Sequence, residues 1–204
     1  MADYRIISPA TVTLSERAAV GKGAVIFPNN AILGESRVGA GAVLYPNNIL
    51  EDAEVEAGCE LTASVLKGAY VGENSRIGPF ANLRPKAVVG KNCRIGNFVE
   101  IKNANIGDGT KIGHLTYVGD ADIGKNCNLG CGVVFCNYDG KSKHRTVVGD
   151  NCFIGSNVNL VAPVKLGDGC FIAAGTTVTE DVPAGAFVIG RVRQESKNRN
   201  REAE

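Results

Sequence analysis

The chain has 204 residues and a formal net charge of +1, from 22 Lys plus Arg against 21 Asp plus Glu, with only two histidines. That balance gives no electrostatic case for nucleic acid or an anionic membrane surface as partner. No apolar run is long enough to span a bilayer, and Met1-Ala2-Asp3-Tyr4-Arg5 lacks a secretion-signal pattern, so a cytoplasmic setting is expected.

Residues 1–18 read as a lead-in segment. From about Val20 to about Pro183 an aliphatic residue returns every six positions, often followed by Gly: Val38-Gly39, Val55, Val71-Gly72, Ile77-Gly78, Ile95-Gly96, Ile106-Gly107, Ile112-Gly113, Ile123-Gly124, Leu129-Gly130, Val148-Gly149, Ile154-Gly155 and Leu166-Gly167. A period of six fits neither a helix nor simple strand alternation. It fits one side of a triangular coil, stacked as a parallel β-helix of roughly nine turns. Five-residue steps at Leu50→Val55, Ile101→Ile106 and Val118→Ile123 mark shortened corners. Residues 137–146, NYDGKSKHRT, are too polar and turn-rich for a coil side and predict a protruding loop. Residues 1–193 thus form one domain, and the charged tail 194–204 loses the period and is expected to be disordered.

Cys59, Cys93, Cys127, Cys152 and Cys170 fall four places after a repeat aliphatic, the slot that Ser75, Thr110 and Thr116 also fill. They read as small inward packing residues. No short Cys-x-x-Cys spacing is present, and no metal is expected.

A fixed period lets chemistry be read as columns. Arg84 and Lys102 follow Leu83 and Ile101 on successive coils, so they stack about 5 Å apart, where an anion between them would relieve their repulsion. A surface network with Glu100 is the plainer alternative. Asn82, Glu100 and Tyr117 form a second column beside them. A third reads Pro79, Asn97, His114, Cys131, Ser156, Ala174. Three small side chains above His114 imply a shallow groove about 14 Å long, suited to an extended thin arm such as pantetheine. His114 at its foot is placed to act as a general base. His144, in the loop, reads as a solvated residue.

The segments IGPFANLRP, IGNFVEIKNANIGDGTKIGHLTYVGDADIG, CNYDGKSKHRT, IGSNVNLVAPV and IAAGTTVTEDVPAGA occur in that order. Together they closely resemble the acetyltransferase domain of the bifunctional bacterial glucosamine-1-phosphate acetyltransferase/N-acetylglucosamine-1-phosphate uridyltransferase family. The resemblance is dense from about Val71 to Arg193. It implies an all-β, left-handed parallel β-helix, a homotrimer with sites between subunits, and acetyl transfer from acetyl-CoA to glucosamine 1-phosphate. It makes His114 the base, with Glu100 orienting or polarising it. Arg84, Lys102, Tyr117 and Asn128 become sugar-phosphate ligands, and Lys143 reaches the site of a neighbouring subunit. Cys131, Asn137, Tyr138, Ser156, Ala174 and Arg191 become acetyl-CoA contacts. The chain departs from the family in having Cys131 where Ala is usual and in showing no uridyltransferase segment, so uridylyl transfer is not expected of it. The rival readings are a hexapeptide-repeat acyltransferase for another acceptor and a non-catalytic β-helix scaffold.

Overall fold

The structure, a computed structural model, describes residues 3–196. The repeat aliphatics named above all point inward, each at most 4% exposed. They fill one continuous column of core, where each Ile, Leu or Val stabilises by roughly 1.5–3 kcal/mol. The chain winds around that column as a left-handed parallel β-helix with almost no helix.

Three flat faces result. The first is an eleven-stranded parallel sheet running from Arg5–Ile6 through Arg94–Asn97, Lys111–His114 and Asn128–Leu129 to Phe187–Val188. The other two faces are joined by the seven-residue strands Glu100–Ile106 and Tyr117–Ile123, which run on around one corner. Arg5–Ile6 already pairs with Val25–Ile26, and Phe187–Val188 closes the far end on Phe171–Ile172. The stack is therefore longer than the nine turns expected, because residues 5–18 belong to it. The shortened corners at Asp52, Asn103 and Asp120 are present, each with a left-handed residue (φ 47, 47 and 49°). Two more, Leu61→Leu66 and Leu66→Val71, escaped the sequence reading. There Ala63 and Gly68 take the corner at φ 43 and 50°, so one residue fewer still returns the chain to register.

The Cys/Ser/Thr slot has a reason beyond size. Ser75 and Thr110 hydroxyls each donate to the carbonyl of a repeat glycine, Gly90 and Gly124, at 2.8 Å. Cys59, Cys93, Cys127 and Cys152 thiols do the same toward Gly72, Gly107, Gly149 and Gly167. Ser75 Oγ and Thr110 Oγ1 then accept the N–H of Cys93 and Cys127 on the next coil. Each such residue satisfies a corner carbonyl that a buried Ala would leave unpaired. Burial pushes the Cys59 and Cys127 thiols up to about 11 and Cys170 up to about 12, so these sulfurs stay protonated and inert.

Beyond Val188 the described residues form no further strand, and residues 194–196 are exposed. The rest of the expected disordered tail, 197–204, lies outside the described residues.

Candidate active site

The cleft that holds His114 is built on the first face, from three parallel columns. Arg76, Arg94, Lys111 and Asn128 stack in register along one side. Gly78, Gly96, Gly113 and Gly130 form the floor, and His114 and Cys131 stand on the far side. Together they bound an open cleft of about 540 Å³. The floor must be glycine at Gly96, where a Cβ would lie 1.9 Å from the Gly113 carbonyl oxygen.

His114 lies directly above Asn97 in the sheet, and its Nδ1 sits 2.5 Å from Asn97 Oδ1. An amide oxygen only accepts, so Nδ1–H donates and Nε2 is left as the basic nitrogen. The chain turns sharply right after this pair. Phe98 and Leu115, with Phe80 one coil below, take positive φ values of 56, 47 and 58°. Left-handed conformations cost bulky residues about 1–3 kcal/mol each, and they concentrate at functional sites. Phe80 and Phe98 stack at 5.4 Å, and all three side chains are more than half exposed.

Above His114 the coils keep register through Leu129, Ile154 and Ile172, which places Cys131, Ser156 and Ala174 in line as the columns predicted. Arg191 folds back over this line, its Nη1 donating to the Ala174 carbonyl at 2.5 Å. Phe153, Phe171 and Phe187 flank the line as a ladder, with ring centroids 4.5 and 5.6 Å apart.

A second cluster occupies the adjoining face. Asn82, Glu100 and Tyr117 stack as expected, and Gly119 follows Lys102. Arg84 is not free. Its Nη1 binds Glu100 Oε1 at 2.9 Å, which is the surface network weighed as the plainer alternative. The orienting role given to Glu100 therefore shifts: its carboxylate engages Arg84, while Asn97 holds the imidazole. Lys143 lies against Lys102 of its own chain, where the sequence reading had sent it to a neighbour. Direct contact with Lys143 is the main cause that pushes Lys102 below the usual lysine range, with Arg84 adding to it.

Asp120 joins this cluster. Burial pushes its carboxyl up, but amide donors at 2.5 Å from Asn103 and Asn137, and the charges of Lys143 and Lys102, outweigh burial and hold it below the usual aspartate range. Asn137 is 6% exposed with its amide on Asp120 and near the Tyr117 hydroxyl, so it braces the corner rather than facing the groove above Cys131.

The loop that carries Lys143 is a tight hairpin, closed by an antiparallel bridge between Tyr138 and Lys143. Asp139 Oδ1 accepts the N–H of Lys141 and Ser142, and Oδ2 pairs with His144 Nε2 at 2.7 Å. These donors hold the Asp139 carboxyl far below its ordinary range. His144 is thus a loop brace. Arg145 anchors the base of the hairpin through two bonds to Asp122, at 2.5 and 2.6 Å.

Within one chain the structure brings together His114, Asn128 and Cys131 in the cleft, and sets Ser156, Ala174 and Arg191 on the line above it. It places Arg84, Glu100, Lys102, Tyr117 and Lys143 around the corner, outside the cleft lining. Tyr138 stands exposed on the hairpin. Three features went unassigned from sequence: Asn97, Asp120 and the basic side of the cleft. For Asn97 the signal was present, since it sits one coil below His114 in the same column.

The family described as bacterial transferase hexapeptide (six repeats) matches residues 145–180, and the family described as GMPPB C-terminal domain matches residues 65–138. Bifunctional protein GlmU of Caldicellulosiruptor saccharolyticus is 50% identical over 193 residues, covering 95% of this chain and 42% of that protein. The same-named protein of Thermoanaerobacter pseudethanolicus is 49% identical, covering 94% and 42%. The chain thus spans about two-fifths of the length of these relatives. Among solved structures, a UDP-N-acetylglucosamine acyltransferase of Francisella novicida aligns at 20% identity over 91% of this chain and 67% of that one, with a TM-score of 0.48. By near-50% identity along almost its whole length, the chain matches the acetyltransferase part of the bifunctional GlmU proteins.

Proposed function

We propose that the chain transfers an acetyl group from acetyl-CoA to the amine of glucosamine 1-phosphate, supplying N-acetylglucosamine 1-phosphate for UDP-N-acetylglucosamine synthesis. The observation that carries this reading is the His114–Asn97 pair at the foot of a line of small side chains. Asn97 sets the tautomer, so Nε2 can take the proton of the amine as its nitrogen bonds to the thioester carbonyl carbon and the C–S bond breaks. His114 then returns that proton to the departing thiolate. The line of Cys131, Ser156 and Ala174 admits a thin pantetheine arm, and Arg191 stands at its upper end beside Ala174. Arg84, Lys102 and Lys143 supply positive charge for the sugar phosphate, with Tyr117 and Asn128 as further polar contacts. The working form is a homotrimer in the cytoplasm. The exposed Phe80, Phe98 and Leu115 beside His114 and the seven free cysteines among the described residues support that setting.

A free-thiol assay with acetyl-CoA tests the reading directly. Glucosamine 1-phosphate will be acetylated far faster than glucosamine; equal rates would refute a phosphate-recognising site. Arg84→Ala will raise the KM for glucosamine 1-phosphate by about tenfold or more, the scale of one charge-assisted hydrogen bond. An effect confined to acetyl-CoA would contradict the assignment.

Asn97 is tested by pH. Asn97→Asp places a carboxylate on Nδ1 and favours the protonated imidazole. The acid limb of the kcat/KM profile will therefore move to higher pH. A profile unchanged from wild type would remove Asn97 as the group that orients His114.

A further inference from the structure

We propose that Arg94 and Lys111 form a second phosphate-recognition site, on the side of the cleft that holds His114 and separate from the Arg84–Lys102–Lys143 cluster, whose ligand is a diphosphate-bearing small molecule. The charged residues that line this cleft, apart from the titratable His114 and Cys131, are Arg76, Arg94 and Lys111, and no carboxylate lines it. Register stacks the three on successive coils, about 4.8 Å apart. On this rod the coil spacing lets several cations meet an acid. Arg17 pairs with Glu35, Lys67 with Glu51, Arg84 with Glu100 and Lys91 with Glu73. At the lower end of the cleft Arg76 follows the same habit with Glu60 at 3.3 Å. Arg94 and Lys111 have no such partner: among the described residues neither side chain has a hydrogen bond or an ion pair, a state shared with Lys22, Arg37, Lys86, Lys125 and Lys165, but only these two are neighbours on the wall of this cleft.

Two adjacent unpaired cations beside an open cavity are a cost that a bound phosphoryl group removes, and the amide of Asn128 one coil higher adds a donor. The place also limits the occupant. The pair lies toward the end of the cleft away from Ser156 and Ala174, so it does not serve an arm running up that line. With the acceptor's single phosphate assigned around the corner, a reading carried over from the proposed function, the group at Arg94 and Lys111 belongs to a second ligand. Two unpaired cations and the Asn128 amide, spread over two coil intervals, suit two linked phosphoryl groups better than one. Such a ligand fills the space in front of His114 and competes with the acceptor.

Inorganic pyrophosphate is the probe, with binding followed by calorimetry and by its phosphorus resonance, independent of any turnover. Wild type will bind it, the double variant Arg94→Gln/Lys111→Gln will lose at least about tenfold in affinity, and Arg37→Gln, away from both cation clusters, will bind within about twofold of wild type. The unfolding temperature of each variant will match wild type, since all three side chains are exposed. Pyrophosphate will also inhibit acetyl transfer competitively with glucosamine 1-phosphate. Failure of wild type to bind, equal binding by the double variant, or an equal loss in Arg37→Gln overturns the proposal. Tighter binding of inorganic phosphate than of pyrophosphate overturns the diphosphate assignment. Binding that depends on Arg94 and Lys111 in a protein showing no acetyl transfer would sink the acetyltransferase reading and leave this site standing.

Discussion

His114→Ala will lower kcat for acetyl transfer by at least about a hundredfold, the lower end of what a positioned general base contributes. KM for both substrates will change little, because the ring's work is done on the proton that leaves the amine during reaction and not on ground-state binding. The unfolding temperature will also hold, since the side chain is exposed and its hydrogen bond is to Asn97 on the same surface. Stopped turnover at saturating substrates and a thermal melt measure the two quantities separately. Turnover near wild type would remove His114 as base; a large fall in unfolding temperature would make the loss structural. Residual activity that rises with pH in the variant is consistent with the reading, because the share of neutral amine grows and solvent base takes the proton that His114 would have taken.

The second large effect concerns the cleft floor, where two neighbouring glycines predict opposite outcomes. Gly96→Ala drives a methyl group into the Gly113 carbonyl one coil above, at 1.9 Å, and backbone cannot swing aside as a side chain does. The coils must separate locally. Overpacking of this kind costs about 1–3 kcal/mol, and in a chain of this size that lowers the unfolding temperature by roughly 2–4 °C per kcal/mol. Because each coil holds only its neighbours, the damage will concentrate in the rungs carrying Asn97 and His114, and activity will fall with stability. At Gly113 a Cβ meets nothing within 4 Å and projects into open space. Gly113→Ala will therefore melt like wild type but raise a substrate KM, because the new methyl stands in the cleft. Equal melting temperatures for the two variants would show that the coil spacing is looser than the structure has it.

The repeat was legible in the sequence because it is a burial rule. One inward aliphatic per side and a small donor-bearing residue at the corner are needed on every coil, whatever the neighbours. Stacking order follows from it, so Lys102 over Arg84 and His114 in line with Cys131, Ser156 and Ala174 are legible in the sequence. The residue names Asn-Phe-Val-Glu-Ile-Lys and His-Leu-Thr-Tyr then supplied the chemistry through resemblance. The lead-in residues 5–18 were misjudged because their spacing is irregular, and Arg5–Ile6 is recognisable as a rung only when paired with Val25–Ile26.

By itself the sequence determined the solenoid, its core and which residues share a column, since a period of six leaves each residue a single direction around the coil. Tertiary structure alone decided which neighbours those side chains engage. Glu100 could reach toward His114 or Arg84, and it lies on Arg84 because that guanidinium stands one coil below on its own face. Asn97 takes the imidazole because it lies one coil below His114 in register, with left-handed turns following both residues at Phe98 and Leu115. Lys143 meets Lys102 because Asp139 and the Asp122–Arg145 pair fold its hairpin back on its own chain. A column is set by chain period, whereas a contact is set by rotamers and corner geometry, which depend on residues up to forty-two positions away, as between Arg145 and Asn103.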